Sequence, residues 1–295
     1  MSRCATVLIL LAFLVPARLP AEDFTTARPL GMGGAHRAVV SSNDAIYFNP
    51  AGMSLFQRYS FEAHYLFSPE LYGGAPDPEH VVNISVVDNQ IAAFATGLAY
   101  TRIERGDDKH GNRYDLAFSV PLTSNFMIGT NIKYLDFARG GNDGAVDAVT
   151  VDLGLLMHTD FGLAIGVAGY NLTNTADYLE HPVSMAAGVM YSPFRTLELA
   201  FDWYINFQRP EDASDPLGAK DTGYSYHFGV EYLLLGQVTL RGGYLIDQAR
   251  PGDDDQFWSA GVGYITKQFA FDFGYRGSVE DAKVGTFAFG ARLFM

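Results

Sequence analysis

Ionisable side chains recur along the chain within runs that alternate apolar and polar residues. A carboxylate beside a histidine, or two carboxylates at one site, could perform general acid–base catalysis. No serine, cysteine or histidine constellation accompanies these residues, so the sequence predicts no catalytic residues and no enzyme. Alternation instead places them on one face of a sheet, where we expect ion pairs: Glu62, His64, Lys133, Asp152, Glu198, Asp202, Glu231, Arg241, Asp272, Arg276 and Arg292.

Two acidic runs and one glycine-rich run have the composition of binding motifs. The DDD run at 253–255 and the GDDK run at 106–109 carry carboxylates but lack the ligand spacing of a defined calcium loop. GMGG at 31–34 is not a dinucleotide fingerprint, because no βαβ unit surrounds it. The sequence therefore predicts no metal site and no cofactor.

The first 21 residues are typical of a secretory signal peptide. Arg3 forms a positive n-region, residues 5–15 form an apolar h-region, and cleavage is expected after Ala17 or Ala21. A membrane anchor is the alternative, but the apolar run is shorter than the ~20 residues that span a bilayer. After cleavage at Ala21 the mature chain would hold 18 basic and 33 acidic residues, a net charge of −15, which argues against nucleic acid as a partner.

From residue 59 onward, apolar residues recur with period two in short runs, which predicts β-strands. Seven long polar loops alternate with six tight turns, as in barrels with one exterior and one periplasmic rim. The predicted fold class is therefore all-β, a fourteen-stranded antiparallel transmembrane β-barrel over 59–295. The predicted strands lie near 60–67, 81–87, 91–101, 112–120, 126–137, 148–157, 163–171, 182–191, 197–207, 224–233, 237–246, 257–266, 269–278 and 286–295.

A soluble β-sandwich, the alternative fold, also has alternating strands. Aromatic residues make up 14% of this chain and concentrate at strand ends, as in the aromatic girdles of membrane barrels. The tail TFAFGARLFM is similar to the C-terminal assembly signal of outer-membrane barrels, with Gly290, Leu293 and Met295 in its glycine–hydrophobic spacing. In a membrane, strands can pair all their backbone groups only in a closed barrel. These features favour a barrel in the bacterial outer membrane.

Residues 22–58 fit none of these strands. Gly31, Gly33 and Gly34 allow tight turns at positive φ. The proline that follows Asn49 disfavours the helical backbone conformation at Asn49. The interior of a fourteen-stranded barrel is wider than its own side chains can fill. We therefore expect this segment to fold into the lumen as a hatch, with four apolar anchors: Ile46, Tyr47, Phe48 and Met53.

GMGGA at 31–35 and NDAIYFNPAGM at 43–53 resemble the N-terminal hatch of the FadL/TodX outer-membrane transporters and their PorV-like relatives. The resemblance implies a plugged fourteen-stranded barrel for passive uptake of hydrophobic molecules, such as long-chain fatty acids or aromatic hydrocarbons. A PorV-like barrel that binds or escorts secreted or periplasmic proteins is the alternative, because the longest loop, about 207–223, is polar. The hatch motif comprises Gly31, Gly33, Gly34 and the NPA core with its following glycine, Asn49, Pro50, Ala51 and Gly52.

The resemblance also implies further site residues. A kink in the third strand forms a lateral exit in these transporters, and Gly97 is our candidate for it. The alternative is that Gly97 makes room for the hatch. Expected partners are outer-membrane lipid and a hydrophobic small molecule, whose candidate contacts are Phe48, Met53, Arg241 and Arg276. Small residues on the third strand are expected to face the lumen: Ala93, Ala95, Gly97 and Ala99.

Overall fold

The computed structural model describes residues 24–39, 42–70, 78–90, 93–106, 109–138, 145–173, 181–210, 220–248 and 255–295. The expected signal peptide lies outside these residues, as do the acidic runs at 107–108 and 253–254. Two short α-helices, α1 (Ala27–Gly31) and α2 (Ala45–Phe48), and a 3-10 helix (Pro50–Ser54) precede fourteen strands. The strands are β1 Tyr59–Ser68, β2 Glu79–Asp88, β3 Ala95–Arg105, β4 Lys109–Pro121, β5 Phe126–Ala138, β6 Ala145–His158, β7 Leu163–Tyr170, β8 Ser184–Phe194, β9 Leu197–Pro210, β10 Lys220–Leu234, β11 Val238–Asp247, β12 Asp255–Ile265, β13 Phe269–Ser278 and β14 Gly285–Phe294.

The fourteen strands form one closed antiparallel barrel. Each strand pairs with its neighbours in the chain, and β1 completes the circle by pairing with β14, from Ser60 opposite Phe294 to Phe67 opposite Phe287. This confirms the predicted all-β fold class. Closure leaves no exposed strand edge, because every strand has a partner on both sides. Among the described residues, no helix is long and apolar enough to cross a membrane.

The third strand is displaced from its predicted bounds. β3 begins at Ala95 rather than at residue 91, so Ala93 precedes the strand and is exposed, and its predicted place on the lumenal face is wrong. The strand ends later than predicted, at Arg105, which forms a cross-strand ion pair with Glu79. Apolar alternation marks only the part of a strand that faces lipid, whereas antiparallel pairing continues beyond it between polar residues.

The loop between β9 and β10 is shorter than the predicted 207–223 for the same reason. β9 extends to Pro210 and β10 begins at Lys220. Arg209 and Asp221 face each other in this extension and form an ion pair at 3.0 Å. Polar cross-strand pairs lengthen a hairpin without leaving an apolar period, so the sequence pattern does not detect them.

The wall has an apolar outer face and a polar inner face. Leu98, Leu153 and Phe271 are 50–56% exposed on the outside. Of the eleven ionisable residues predicted to share the inner face, nine are buried, and Glu198 and Arg276 are partly exposed. A closed barrel with an apolar exterior points to the bacterial outer membrane.

The outer face provides a direct test of membrane insertion. Leu153 lies near the middle of the outward-facing apolar residues of β6, so Leu153→Arg should lower the free energy of unfolding in phospholipid vesicles by roughly 2–4 kcal/mol. The same change at Leu235, which is 88% exposed in the turn between β10 and β11, should cost about 0–1 kcal/mol. Urea titrations followed by tryptophan fluorescence measure both, and equal losses would contradict the assignment of the outer face.

Candidate functional site

The N-terminal segment, as residues 24–58 are called here, lies inside the barrel over residues 24–39 and 42–53 of the described chain. Helix α1 contacts β11 to β14, whereas the 3-10 helix contacts β3 to β6. Every described residue from Phe24 to Met53 is buried except Thr25, which is partly exposed. The segment therefore occupies the lumen at this level and carries both of its sequence motifs against the inner wall.

Asn49 holds the turn that starts the 3-10 helix. Its backbone is extended (φ −162°, ψ 98°), as expected before proline. The side-chain oxygen accepts a hydrogen bond from the Ala51 N–H at 3.3 Å. The amide nitrogen donates to the Arg37 carbonyl at 3.0 Å and to the Leu155 carbonyl of β6 at 2.9 Å. One side chain thus caps a helix, joins two parts of the segment and attaches them to the wall.

Glycines on the inner wall accept the backbone of this turn. A Cβ atom at Gly129 of β5 would lie 2.4 Å from the Ala51 nitrogen and from the Pro50 carbonyl carbon. A Cβ atom at Gly154 of β6 would lie 2.2 Å from the Asn49 Oδ1 atom. Both distances are far below the ~3.5–4.0 Å of an ordinary van der Waals contact. Gly129 and Gly154 therefore form a glycine seat for the NPA turn.

The GMGG loop meets the opposite part of the wall in a similar way. Gly33 has a φ of +65°, and a Cβ atom there would lie 2.7 Å from the Phe228 carbonyl oxygen. From the wall side, a Cβ atom at Gly243 of β11 would lie 2.2 Å from the Gly33 nitrogen. One at Gly274 of β13 would lie 2.3 Å from the Ala27 carbonyl oxygen. Glycine is thus required on both sides of this contact.

The remaining glycines of the hatch motif contact either the segment itself or the barrel wall. Gly34 has a φ of +83°, and its carbonyl accepts a hydrogen bond from the Arg37 guanidinium at 2.7 Å. A Cβ atom at Gly31 would lie 3.1 Å from the Cα atom of Gly261 on β12. Gly52 lies within the 3-10 helix, where its N–H bonds to the Asn49 carbonyl at 3.0 Å.

Asp202 of β9 anchors the chain that follows the GMGG loop. Its Oδ2 atom accepts hydrogen bonds from the backbone N–H groups of His36 at 2.6 Å and Arg37 at 2.8 Å. The Arg37 guanidinium lies 3.4 Å from the same oxygen and 5.0 Å above the Phe48 ring. The buried carboxylate is therefore compensated by one cation and two backbone donors.

Ion pairs link α1 to β9 and β10, and they continue along the wall to β11 and β13. Arg28 pairs with Glu231 at 2.9 Å and Glu198 at 3.0 Å, and Arg241 pairs with Glu231 at 2.5 Å and Asp272 at 2.7 Å. Burial alone would lower the pKa of the Arg28 guanidinium, but Glu231 and Glu198 raise it above its usual value. Arg28 therefore stays charged within the lumen.

On the other side of the segment, Asp44 lies in a buried polar cluster. The hydroxyl groups of Thr26 and Ser42 donate hydrogen bonds to its two oxygens, and its Oδ2 atom lies 3.6 Å from the His36 Nε2 atom. Burial lowers the pKa of the His36 imidazole below its ordinary value. Asp44 and His36 are both fully buried.

The wall completes this cluster with Glu62 and His64 of β1. The Glu62 Oε1 atom accepts a hydrogen bond from the Asn43 N–H at 2.9 Å and forms an ion pair with Arg292 at 2.5 Å. The Glu62 Oε2 atom lies 3.2 Å from the His64 Nε2 atom. The cluster thus joins the N-terminal segment to the seam between β1 and β14.

The four candidate ligand contacts each have protein partners. Phe48 lies beneath the Arg37 guanidinium, and Arg241 is paired with two carboxylates, which favours ion pairing over ligand binding for Arg241. Arg276 is partly exposed and stacks at 5.5 Å on the Phe257 ring. Met53 is buried. Ligand binding by these residues stays a prediction.

Gly97 lies in a regular part of β3. The strand pairs with β2 and β4 through Gly97 without a change of register. A Cβ atom there would lie 2.8 Å from the Met53 Sδ atom and 2.9 Å from the Ile46 Cγ1 atom. This geometry favours the alternative that Gly97 makes room for the segment, and a kink at Gly97 stays a prediction.

A concave apolar groove of about 730 Å³ lies on the outer face of the wall, across β1, β2 and β11 to β14. Its lining includes the exposed side chains of Tyr65, Phe271 and Phe289. Ala63 and Ala291, which also line it, are partners across the β1–β14 seam. The groove faces lipid, so it is not the lumenal pocket that the sequence predicts for a ligand.

Sequence reasoning missed the wall glycines and the cluster around Asp44. Gly129, Gly154, Gly243 and Gly274 all occupy inward positions of their strands and contact the segment. Their recurrence at inward positions is a signal that could have identified the surface on which a lumenal segment rests. The proximity of Asp44 to Glu62 has no such signal, because it depends on the fold of the segment.

No protein-family model matches the sequence, and no curated protein matches it either. Solved structures with a similar fold include the CymD monoaromatic hydrocarbon channel (13% identity, TM-score 0.68, covering 93% of this chain and 97% of CymD). The Ralstonia pickettii toluene transporter TbuX has 14% identity and a TM-score of 0.69, with 93% of this chain and 98% of TbuX covered. A Pseudomonas aeruginosa FadL homologue has 13% identity and a TM-score of 0.68, with 91% and 98% covered. The chain therefore has the FadL-type barrel fold.

The glycine seat can be tested by filling it. Gly129→Val should displace the NPA turn, because the new side chain would overlap the Pro50–Ala51 backbone. We expect faster amide hydrogen exchange in residues 45–54 while the barrel strands remain protected. Gly242→Val is the matched control, since a Cβ atom there meets only a Val230 methyl group at 3.6 Å. Unchanged protection of 45–54 in Gly129→Val would contradict the seat.

Proposed function

We propose that this protein is a passive outer-membrane transporter of hydrophobic small molecules, such as long-chain fatty acids or aromatic hydrocarbons, with residues 22–58 as its hatch. The observation that carries the proposal is the buried N-terminal segment inside a FadL-type barrel. A porin for hydrophilic solutes needs a water-filled lumen, and the segment occupies that space. Structural neighbours described as monoaromatic hydrocarbon and toluene transporters support a hydrophobic substrate.

The contacts of the segment with the wall indicate which part of the hatch can move at the lower free-energy cost. Its 46–54 region is hydrogen-bonded to the wall through neutral groups: Asn131 donates to the Ile46 carbonyl at 3.2 Å, and Asn83 donates to the Tyr47 hydroxyl at 2.7 Å. A wall cation, Arg113 of β4, lies 5.4 Å from the centre of the Tyr47 ring, which is a cation–π contact and not an ion pair. Burial raises the pKa of the Tyr47 phenol well above its usual value, so Tyr47 stays neutral. The α1 region is instead held by buried ion pairs. Losing one partner of such a pair costs about 3–5 kcal/mol, against about 1–3 kcal/mol for a neutral hydrogen bond. Movement at 46–54 is therefore less costly.

Bound small molecules test the substrate class. The protein is purified gently from outer membranes, extracted with organic solvent and examined by mass spectrometry, beside an unrelated outer-membrane barrel treated identically. We expect fatty acids or hydrocarbons to be enriched over the control, because an apolar molecule gains from leaving water for an apolar site.

A different result would favour the second candidate. Extracts that match the control, with a partner protein present in equal amount in the same preparation, would contradict transport and favour a PorV-like barrel that binds secreted or periplasmic proteins. Steady ion conductance through the intact protein in planar bilayers would contradict a closed hatch.

A reversible crosslink tests the gate. The Ser54 and Ser119 hydroxyl oxygens are 2.7 Å apart, so Ser54→Cys/Ser119→Cys can form a disulfide that fixes the 3-10 helix to β4. The only native cysteine, Cys4, lies in the expected signal peptide. We expect uptake of a radiolabelled fatty acid by proteoliposomes to fall at least about tenfold when the pair is oxidised and to recover on reduction.

The control crosslink fixes only the wall. Ser68 on β1 and Thr286 next to it on β14 have hydroxyl oxygens 2.9 Å apart, so Ser68→Cys/Thr286→Cys joins two strands without touching the segment. Uptake by this variant should not depend on its redox state. If the oxidised Ser54–Ser119 pair transports as well as the reduced one, movement of this part of the hatch is not required.

A further inference from the structure

The cluster that joins the segment to β1 has the composition of a metal site. Asp44, Glu62 and His64 each offer a ligand atom, and these three atoms lie within 4.8 Å of one another. His36 brings a second imidazole, with its Nε2 atom 3.6 Å from the Asp44 Oδ2 atom. Two imidazole nitrogens and two carboxylates are a ligand set that suits Zn²⁺ and related first-row metal ions, whereas Ca²⁺ and Mg²⁺ prefer oxygen ligands alone.

Two distances within the cluster match the spacing of neighbouring ligands around one ion. Metal–ligand bonds of about 2.0–2.2 Å place neighbouring tetrahedral ligands roughly 3.3–3.6 Å apart. The Glu62 Oε2 and His64 Nε2 atoms are 3.2 Å apart, and the His36 Nε2 and Asp44 Oδ2 atoms are 3.6 Å apart. Each pair is thus spaced as two ligands of one ion.

The surrounding hydrogen bonds orient the carboxylates as an outer shell would. Thr26 and Ser42 donate to Asp44, and Asn43 donates to the Glu62 Oε1 atom, which leaves the Glu62 Oε2 atom directed at His64. On the imidazole side, both ring nitrogens of His36 are buried and have no hydrogen-bond partner among the residues that the structure describes.

The negative charge of the cluster also favours a bound cation. Within the described residues, Asp44 has no arginine or lysine at ion-pair distance, and Glu62 shares Arg292 with Asp272. A buried carboxylate without a compensating charge is costly. A divalent ion beside Asp44 would supply the positive charge that Asp44 lacks among the described residues.

We propose that Asp44, Glu62 and His64 bind one Zn²⁺-like ion, which fastens the N-terminal segment to β1, with His36 beside Asp44 as the candidate fourth ligand. Asp44 comes from the segment, and Glu62 and His64 come from the wall, so the ion would bridge them. The site does not depend on the transport function proposed above, because metal binding is measured without a substrate.

The test uses the untagged full mature chain in detergent, stripped of metal with a chelator. Equilibrium dialysis against Zn²⁺ followed by elemental analysis should give one ion per chain, and Co²⁺ should give the visible d–d bands of a tetrahedral nitrogen–oxygen site. Loss of an outer-shell partner already weakens metal sites by about 10–100-fold, so His64→Gln and Asp44→Asn should weaken Zn²⁺ binding by at least that factor. His227→Gln is the control, since this buried histidine contacts the Gly33 carbonyl at 2.8 Å instead; it should bind as the wild type does.

Circular dichroism establishes that each variant keeps its barrel. If a variant does not fold, the wild-type protein decides alone through X-ray absorption at the zinc edge, where imidazole scattering and one ion per chain support the site. Binding of less than about a tenth of an ion per chain would overturn the proposal. Equal binding by wild type and folded His64→Gln would do the same, and the cluster would then be an ion-pair and hydrogen-bond network only.

Discussion

The need to fill the lumen governs the rest of this structure. A closed sheet of fourteen strands encloses more space than inward side chains can occupy, and a segment placed there must satisfy its own backbone groups away from water. Short helical turns satisfy some of them within the segment, and wall side chains satisfy others, such as the Ile46 carbonyl bonded by Asn131. Where the backbone of the segment approaches the backbone of a wall strand, the wall residue is glycine. The sequences of the segment and of the strands are therefore mutually constrained, although they are far apart in the chain.

The alternation of residue types was sufficient to predict the barrel because each strand faces two different environments. Runs such as TLELAFDWYINF place Trp203 outside and Asp202 inside, and the structure has both as predicted. The same pattern could not predict where β3 begins, because Ala93 is as compatible with the alternation as Ala95. Strand ends are determined by cross-strand pairs, which a single strand does not encode.

Only the part of the candidate site that lies in the N-terminal segment could be predicted from the sequence. GMGGA and NPAG indicate tight turns from local chemistry alone, since glycine and proline restrict their own backbone. Which wall residues those turns meet depends on strand tilt and stagger, and these are properties of the whole barrel. The register between β5 and β6 places Gly154 against Asn49. A local sequence pattern contains no information on that register, so it could not pair the two residues. The same reasoning applies to Asp44 and Glu62.

Most of the ion pairs near α1 and β1 belong to one connected path between two parts of the N-terminal segment. The path leaves the segment at Arg28, runs along the wall and returns to the segment where Asn43 bonds to Glu62; its wall members are Glu231, Arg241, Asp272, Arg292 and Glu62. Buried ion pairs add little net stability, because desolvation offsets their attraction, yet removal of one partner leaves a costly unpaired charge. A shifted position of the segment would separate Arg28 from Glu231 and Asn43 from Glu62 at once. The path therefore acts chiefly by making one position of the segment in the lumen lower in free energy than slightly shifted positions. Hydrophobic burial and backbone pairing supply the stability of the barrel.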